Sequence, residues 1–407
     1  MPVSACRSRC EYPASRRRVI FTLRLFVFSG IINHNMIKTN LHISLISGLF
    51  LLLLAVPVFA QVKGMWVVRY SLTSPQNVKK IVAQAHQAGV NNLFVQFYAR
   101  GEAYYDSKLA PTADCVTRNF DPLALMVKEC KARGIKIHAW INVYFVWSSD
   151  RRPRDGRHAY YQDDGWFAAD PQGRSLKDYS QKELGQRNLE GVYLSPSSPE
   201  VKTYLRELVR EILFKYDVDG IHLDYVRYGS INYSYDVSSR TSFYNQYKVD
   251  PFALLEGNRA LEPYWATWQQ WRMYQISDLV AQLKLDIMKF NPWVQLSAAV
   301  KPDPDEARLS FGQDWPAWLE NRWADFVVLM DYSSNTGTVV RLARKAVAYK
   351  GQGQVYVGLG AWRDSMDGLM EKIRALRKAG INDIVLFSYD GLAQRKISFE
   401  MLKHRGF

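Results

Sequence analysis

Residues 218–229, VDGIHLDYVRYG, place carboxylates, a histidine, an arginine and tyrosines on an alternating apolar run. In an extended strand successive side chains point to opposite faces, so His222 and Asp224 share one face and the apolar residues beside them share the other. Tyr225 and Arg227 follow at once. Two carboxylates that face each other can cleave an acetal linkage, one as nucleophile or base and the other as proton donor. The pattern predicts chemistry on sugars, centred on Asp224.

Two other carboxylates follow predicted strands and are candidates for the second catalytic group. Asp331 ends the run ADFVVLMDY, on a strand two removed from that of Asp224, so we expect the two to reach one ligand. Glu102 follows an earlier strand, and its alternative is a surface charge or a partner for Arg100. The alternative for Asp224 is a structural salt bridge with Arg227.

Further side chains at these strand ends are predicted to bind the substrate, because Trp and Tyr rings stack on sugars and polar groups bond to sugar hydroxyls. The candidates are Arg100, His138, Trp140, Asn142, His222, Tyr225, Arg227, Tyr332, Trp362 and Tyr389. For each aromatic residue the alternative is packing in the core or in a loop.

The spacing of the polar residues predicts no metal and no cofactor. His138 and His222 fall on neighbouring predicted strands without a clear third ligand, which favours hydrogen bonds to substrate over metal. The acidic run KPDPDEA at 301–307 does not match an EF-hand loop and predicts a solvated loop and helix start. No GxGxxG or GxxxxGK turn follows a strand, and no GxSxG motif occurs.

Short β-branched runs alternate with helical patterns from Gly64 onward, which is typical of βα units around a parallel sheet. Strands are predicted at 65–69, 92–98, 136–143, 220–223, 294–300, 325–330, 355–359 and 383–387. Eight units favour a (β/α)8 TIM barrel over an open doubly wound sheet, with insertions at 147–192 and 228–265 after strands three and four. Such a barrel gathers its active-site groups where the strands end.

Residues 36–60 have the pattern of a signal peptide: Lys38, an apolar run over 43–58 and a small-residue cleavage site before Gln61. Residues 1–35 are interpreted as an upstream extension, with Met36 as the true start; the alternatives are an unusually long signal or an inner-membrane anchor. The apolar run is short for a membrane span, so no stable anchor is predicted. The sequence thus predicts a secreted protein, periplasmic or extracellular, with its barrel in residues 61–407.

The formal charge of +14 is partly due to the leader, which holds seven Lys/Arg and one Glu. The remaining 46 basic and 38 acidic residues leave a net charge of +8. This charge suits anionic polymers or envelope surfaces as well as simple solubility, and no basic stripe with interleaved aromatics indicates nucleic acid. Two cysteines remain, Cys115 and Cys130, and two separate thiols are favoured over a disulfide.

Several segments together resemble the family 10-like glycosyl hydrolases, a group of secreted bacterial proteins. They include GMWVVRYSL, FVQFYARGEAYYDSKLAP, IKIHAWINVYF, the run from YLSPSSPEV to DGIHLDYVRYG, FGQDWPAWL, FVVLMDYSSN, VGLGAW and VLFSYDGL. The resemblance covers about residues 64–392. It implies a TIM barrel, an envelope or extracellular location and hydrolysis of glycosidic bonds, with peptidoglycan glycan strands as a substrate.

The segment GIHLD is also similar to the fourth-strand signature of α-amylase-like and α-galactosidase-like barrels. That resemblance implies a nucleophile at Asp224 and, for the α-galactosidase type, a proton donor at Asp331. His222 stands where the amylase pattern has arginine, and no glutamate ends strand five, which argues against α-glucan specificity.

The sequence therefore predicts a secreted glycoside hydrolase that acts on a polysaccharide, with Asp224 and either Asp331 or Glu102 as the carboxylate pair. A non-catalytic glycan-binding barrel of the cell envelope is the alternative, since it needs the aromatic residues but no tuned carboxylate. A polysaccharide deacetylase is the third interpretation, and it requires metal ligands.

Overall fold

Eight parallel strands form the centre of the protein in a computed structural model that describes residues 61–257, 259–395 and 397–407. They are β1 Lys63–Val67, β2 Asn92–Ala99, β3 Lys136–Asn142, β4 Gly220–Asp224, β5 Gln295–Val300, β6 Phe326–Asp331, β7 Gln354–Gly360 and β8 Ile384–Phe387. The strands run in sequence order around the sheet, and β1 pairs with both β2 and β8. The sheet is therefore a closed barrel, and the predicted TIM-barrel fold is confirmed. The predicted extension and signal peptide lie outside the described residues.

Helices follow the strands and cover the outside of the barrel. They are α1 Pro75–Gln87, α2 Pro122–Lys131, α3 Gln181–Gln186, α4 Pro199–Lys215, α5 Val237–Tyr247, α6 Pro251–Leu255, α7 Glu262–Phe290, α8 Pro304–Phe311, α9 Trp315–Glu320, α10 Thr336–Val347, α11 Met366–Lys378, α12 Tyr389–Gln394 and α13 Phe399–His404. Side-chain caps set several starts: Ser74, Asp121 and Ser198 each accept a backbone N–H at the first turn, with proline next in the chain.

Two long segments interrupt the alternation of strand and helix. Between β3 and α4 lie short strands and 3-10 turns together with α3, and between β4 and β5 lie α5, α6 and the long helix α7. The small strands are Glu102–Ala103, Phe145–Trp147 and Val192–Tyr193, and the 3-10 turns are Arg69–Ser71, Ala159–Tyr161, Asp164–Trp166, Leu176–Asp178 and Arg259–Leu261. Both predicted insertions are thus present, each after its predicted strand.

The inside of the barrel is filled mainly by aromatic side chains. Trp66, Phe94, Trp140, Phe326 and Tyr356 belong to one buried cluster on the inner face. The alternate residues of the same strands pack outward in the larger core between the sheet and the helices. This division follows the two-residue alternation of strand side chains.

The structure also bears on the predictions for the cysteines, the acidic run and a membrane span. Cys115 is exposed, Cys130 is buried, and both are free thiols. The acidic run at 301–307 begins α8, where Asp303 accepts the backbone N–H groups of Asp305 and Glu306. No helix among the described residues is long and apolar enough to cross a membrane.

We expect Gly220→Ala to destabilise the barrel by about 1–3 kcal/mol, as overpacking of a close-packed interior does. A Cβ at Gly220 would lie 2.1 Å from Nδ1 of His138 and 3.1 Å from the backbone oxygen of Gln295. His138 has little room to yield, since its ring stacks on Phe94 with centroids 4.6 Å apart. The measurement is the urea concentration at the midpoint of unfolding.

Gly156→Ala is the matched control, because a Cβ there meets no atom within 4 Å. Equal unfolding midpoints for the two variants would contradict tight packing around Gly220.

Candidate active site

A cleft with a cavity volume of about 430 Å³ opens at the carboxyl ends of the barrel strands. Its lining comes from seven of the eight strands or the residues directly after them, and from the segment between β3 and α4. The residues are Val68, Arg69, Gln96, Trp140, Asn142, Phe145, Ser148, Glu190, Asp224, Tyr225, Arg227, Lys301, Met330, Tyr332 and Phe387. This is the position in which TIM barrels carry their active sites.

Asp224 is the most deeply buried carboxylate of the cleft, at 7% exposure. Its Oδ2 accepts the indole N–H of Trp140 at 3.1 Å, and its Oδ1 accepts the backbone N–H of Tyr225 at 2.7 Å. Burial raises the pKa of Asp224 to about 6, although the charge of Arg227 and both hydrogen bonds oppose the rise. Desolvation dominates because it penalises the charged form more than these partners favour it. Asp224 can therefore gain and lose a proton near neutral pH.

The backbone turns sharply after Asp224, since Tyr225 adopts a φ of 52°. This left-handed conformation is costly for a residue with a side chain, so its surroundings must hold it in place. The Tyr225 ring stacks on Phe145 with centroids 4.7 Å apart, and the guanidinium of Arg227 lies 4.9 Å from its centre. The turn thus places Tyr225 in the lining of the cleft beside Asp224.

Glu190 is the second carboxylate that lines the cleft, and it comes from the insertion after β3. It accepts hydrogen bonds from Nη2 of Arg227 at 3.0 Å and from the hydroxyl of Tyr193 at 2.7 Å. Partial burial alone would raise the pKa of Glu190, but the charge of Arg227 and the Tyr193 hydrogen bond outweigh it, and the pKa lies below its usual value. The Glu190 side chain is 44% exposed, whereas that of Arg227 is 4% exposed. A buried cation thus holds an accessible, ionised carboxylate at the cleft.

Two further cations complete the polar lining. Nη1 of Arg69 donates to Oε1 of Gln96 at 3.0 Å, and Nε2 of Gln96 donates to Oδ1 of Asn142 at 3.1 Å. Lys301 follows β5, and its ammonium lies 4.4 Å from the centre of the Phe311 ring. Burial, with the charge of Arg227, lowers the pKa of Lys301. One wall therefore presents a linked series of polar groups and the other presents an ammonium.

Six of the residues predicted from the sequence meet in this cleft. They are Trp140, Asn142, Asp224, Tyr225, Arg227 and Tyr332. Trp362 lies next to them: its ring meets Tyr332 edge-on at 4.9 Å and Phe387 at 5.5 Å, and it is 39% exposed.

The structure does not bring Asp331 to Asp224, and this corrects the position predicted for it. On β6 the inward side chains are those of Phe326, Val328 and Met330, and Asp331 falls on the opposite parity. Its carboxylate is buried and is affected by the charges of Lys372 and Arg341, which lie on the outer helices. Burial raises the pKa of Asp331, and its Oδ2 has no hydrogen-bond partner among the described residues.

Both predicted histidines are fully buried inside the barrel rather than in the cleft, which corrects their predicted contact with substrate. Nε2 of His222 bonds to the indole of Trp66 at 3.1 Å, and Nδ1 bonds to the hydroxyl of Ser297 at 2.9 Å. Because an indole N–H only donates, Nε2 of His222 must accept and Nδ1 carries the proton. Burial lowers the pKa of His138 to about 3 and that of His222 well below its ordinary value. Both rings are neutral packing groups.

Three other candidates lie beside the cleft or away from it. Arg100 stacks on Trp147 with its guanidinium 4.4 Å from the ring centre, and Glu102 is half-buried, so that burial raises its pKa. Tyr389 is buried and donates its hydroxyl to Gln84 on α1 at 2.7 Å. None of the three lines the cleft.

Several cleft residues were not singled out from the sequence, and Glu190 and Arg69 among them are charged. Glu190 belongs to an irregular insertion, where no strand parity signals its direction. Arg69 follows β1 by two residues, so the rule that sites collect at strand ends could have found it. Among the described residues, no group of three or more His, Cys, Asp or Glu side chains is placed to hold a metal ion.

Solved structures with the same fold include glycoside hydrolase domains. The glycoside hydrolase domain of PgaB (BpsB) from Bordetella bronchiseptica aligns with a TM-score of 0.63 at 16% identity, over 84% of this chain and 98% of that domain. Alpha-L-fucosidase isoenzyme 2 from Paenibacillus thiaminolyticus aligns with a TM-score of 0.58 at 14% identity, over 84% of this chain and 48% of that one. These likenesses define the class of the protein by its fold, a (β/α)8 barrel.

The chain belongs to the Glycosyl hydrolase-like 10 family, whose model matches residues 61–360. It is 24% identical over 232 residues to Glycosyl hydrolase YngK of Bacillus subtilis, covering 54% of this chain and 38% of YngK. It is 26% identical over 231 residues to Glycosyl hydrolase DigH of Escherichia coli K12, covering 52% of this chain and 44% of DigH. The matches span less than half the length of either relative.

We expect Asp224→Asn to raise the free energy of unfolding at pH 8 by about 2–3 kcal/mol and to leave it nearly unchanged at pH 4. The folded-state pKa of about 6 lies above the ordinary value of 3.8, so the buried carboxyl favours folding when protonated. That contribution is lost as the pH rises from about 4 through about 6. The amide of the Asp224→Asn variant does not ionise, so the variant keeps its stability over this range. Urea unfolding at the two pH values measures the difference.

Asp155→Asn is the control, because hydrogen bonds from Arg157 lower the pKa of this more exposed aspartate. It should give no gain at pH 8. A gain for Asp224→Asn that is the same at both pH values would mean that the pKa of Asp224 is not raised.

Proposed function

We propose that the protein is a glycoside hydrolase that cleaves O-glycosidic bonds in a polysaccharide, with Asp224 and Glu190 as its carboxylate pair. The observation that carries the proposal is that both line one cleft while their pKa values are displaced in opposite directions. In glycosidases the carboxyl group with the raised pKa acts as the acid, and the other carboxylate stays ionised. Membership of a glycosyl hydrolase-like family supports the same reaction.

Asp224 is the proton donor in this proposal. The protonated carboxyl gives its proton to the glycosidic oxygen as the bond from that oxygen to the anomeric carbon breaks, so the leaving sugar departs as a neutral alcohol. The indole N–H of Trp140 orients the carboxyl and stabilises the carboxylate that remains. Activity should therefore require the protonated form and fall as the pH rises through about 6.

Glu190 is the ionised partner. Its negative charge stabilises the positive charge that develops on the sugar ring, or accepts a proton from the water that attacks the anomeric carbon. Arg227 and Tyr193 fix its position, and its exposure leaves the carboxylate within reach of a ligand in the cleft. Neither Asp331 nor Glu102, the partners predicted from the sequence, lines that cleft.

The features of the cleft support a polysaccharide substrate, and we propose peptidoglycan glycan strands. Tyr225 and Tyr332 contribute aromatic side chains to the lining, as sites that bind sugars do. Arg69 and Lys301 are cations of the lining without a carboxylate partner in any ion pair between described residues, and they suit the carboxylate groups of muramic acid units. The signal-peptide pattern at 36–60 supports secretion to the periplasm or the exterior, where such strands occur.

We expect Asp224→Asn and Glu190→Gln each to lower the release of reducing ends from purified peptidoglycan strands by at least about 100-fold. Strands with and without stem peptides should be compared, because only the latter present free muramic carboxylates to Arg69 and Lys301. The pH profile of the parent protein should lose activity above about pH 6, as the Asp224 carboxyl ionises.

Asp331→Asn is the matched control, since it makes the same chemical change in a buried aspartate outside the cleft. It should retain activity within a few-fold of the parent. Glycan that is bound but never cleaved by the parent protein would favour the non-catalytic envelope barrel, and full activity in Asp224→Asn would exclude the proposed mechanism.

A further inference from the structure

A second concave site, with a cavity volume of about 540 Å³, lies outside the barrel mouth between α5, α7 and the segment around α9. Its aromatic residues are Tyr247, Trp271, Tyr274 and Trp323, and its amides are Gln246, Gln270 and Gln275. The one charged side chain that lines it is Asp314, which is paired with Arg308 at 3.3 Å. The lining is thus aromatic, rich in amides and nearly neutral.

Hydrogen bonds hold part of this lining in place without a ligand. The indole N–H of Trp271 donates to Oε1 of Gln246 at 3.1 Å, and Nε2 of Gln246 donates to the hydroxyl of Tyr247 at 3.1 Å. Trp271 also stacks on the buried ring of Trp268 with centroids 5.2 Å apart. One side of the site is therefore rigid, whereas Tyr274 on the other side is 57% exposed.

One short segment separates this site from the catalytic cleft. The ring of Phe311 lies under Lys301 and Arg227 of the cleft, at 4.4 and 5.1 Å from their charged groups, and Asp314 lines the second site three residues later. Trp315, next in the chain, donates its indole N–H to the backbone oxygen of Lys301 at 3.2 Å. The segment 311–315 therefore contacts residues of the cleft and also lines the second site, so the two sites are linked through one short stretch of chain.

We propose that this second site binds neutral sugar units of the same polysaccharide and holds the chain for the catalytic cleft. Ring faces match the apolar faces of sugars, amides exchange hydrogen bonds with hydroxyl and acetamido groups, and the near-neutral lining favours units without charge. The identity of the polymer rests on the proposed function, but the binding itself does not require hydrolysis.

Binding is tested in the Asp224→Asn protein, which keeps the second site and cleaves nothing under the proposed mechanism. The probes are soluble peptidoglycan strands and the tetramer of N-acetylglucosamine, titrated by calorimetry. Tyr274→Ala and Gln270→Ala, at two exposed positions of the site, should each weaken strand binding by about five-fold, as loss of one aromatic or polar contact does. Tyr349→Ala, an exposed tyrosine on another face, should leave it unchanged.

Saturation-transfer difference NMR on the tetramer gives a second readout. Its signal should fall in Tyr274→Ala but not in Tyr349→Ala. Strand binding that is equal in all three variants would overturn the proposal, as would the absence of binding to both probes. Failure of hydrolysis in the parent protein would overturn the proposed function alone, since the Tyr274-dependent binding would persist.

Discussion

Closure of the parallel sheet is the constraint on which the rest of the structure depends. β1 pairs with β8 through Lys63–Ile384 and with β2 through Gly64–Asn92, so the eight-stranded barrel has no open edge. Because all eight strands are parallel, every carboxyl end reaches the same rim. Residues as far apart in the chain as Arg69, Asp224 and Phe387 therefore line one cleft. The chemistry of the rim depends on the last residue of each strand whose side chain points into the barrel.

The filled interior below the rim explains why Asp224 behaves unlike an ordinary aspartate. Trp140 and the neutral His222 occupy the inward positions around it, and neither brings a charge that could compensate for lost water. Hydrogen bonds from Trp140 and Tyr225 recover part of the lost solvation, but desolvation still prevails. The packing that stabilises the barrel thus also sets the protonation of the candidate acid, at a cost to stability at neutral pH.

The alternation of strands and helices could be predicted from the sequence because each strand is short, rich in β-branched residues and bounded by capped helices. The second strand, predicted at 92–98, spans Asn92–Ala99, and the closed barrel follows from the count of eight. The direction of a side chain at a strand end was harder to predict. Asp224 points inward, but at the end of β6 the inward side chains are those of Met330 and Tyr332, so Asp331 faces the helices. Glu190 could not be located at all, because an insertion without periodicity does not encode direction.

Arg227 connects the end of a barrel strand with the irregular insertion that carries Glu190. It lies three residues after β4 and is almost fully buried, yet its partner Glu190 comes from the insertion after β3. A buried guanidinium without a counter-charge is costly, so the fold of the first insertion and the ionisation of Glu190 are coupled through one ion pair. The same positive charge lowers the pKa of Asp224, but burial raises it more, and the negative charge of Glu190 adds to the rise. One cation thereby keeps one carboxylate charged while its neighbour remains able to carry a proton.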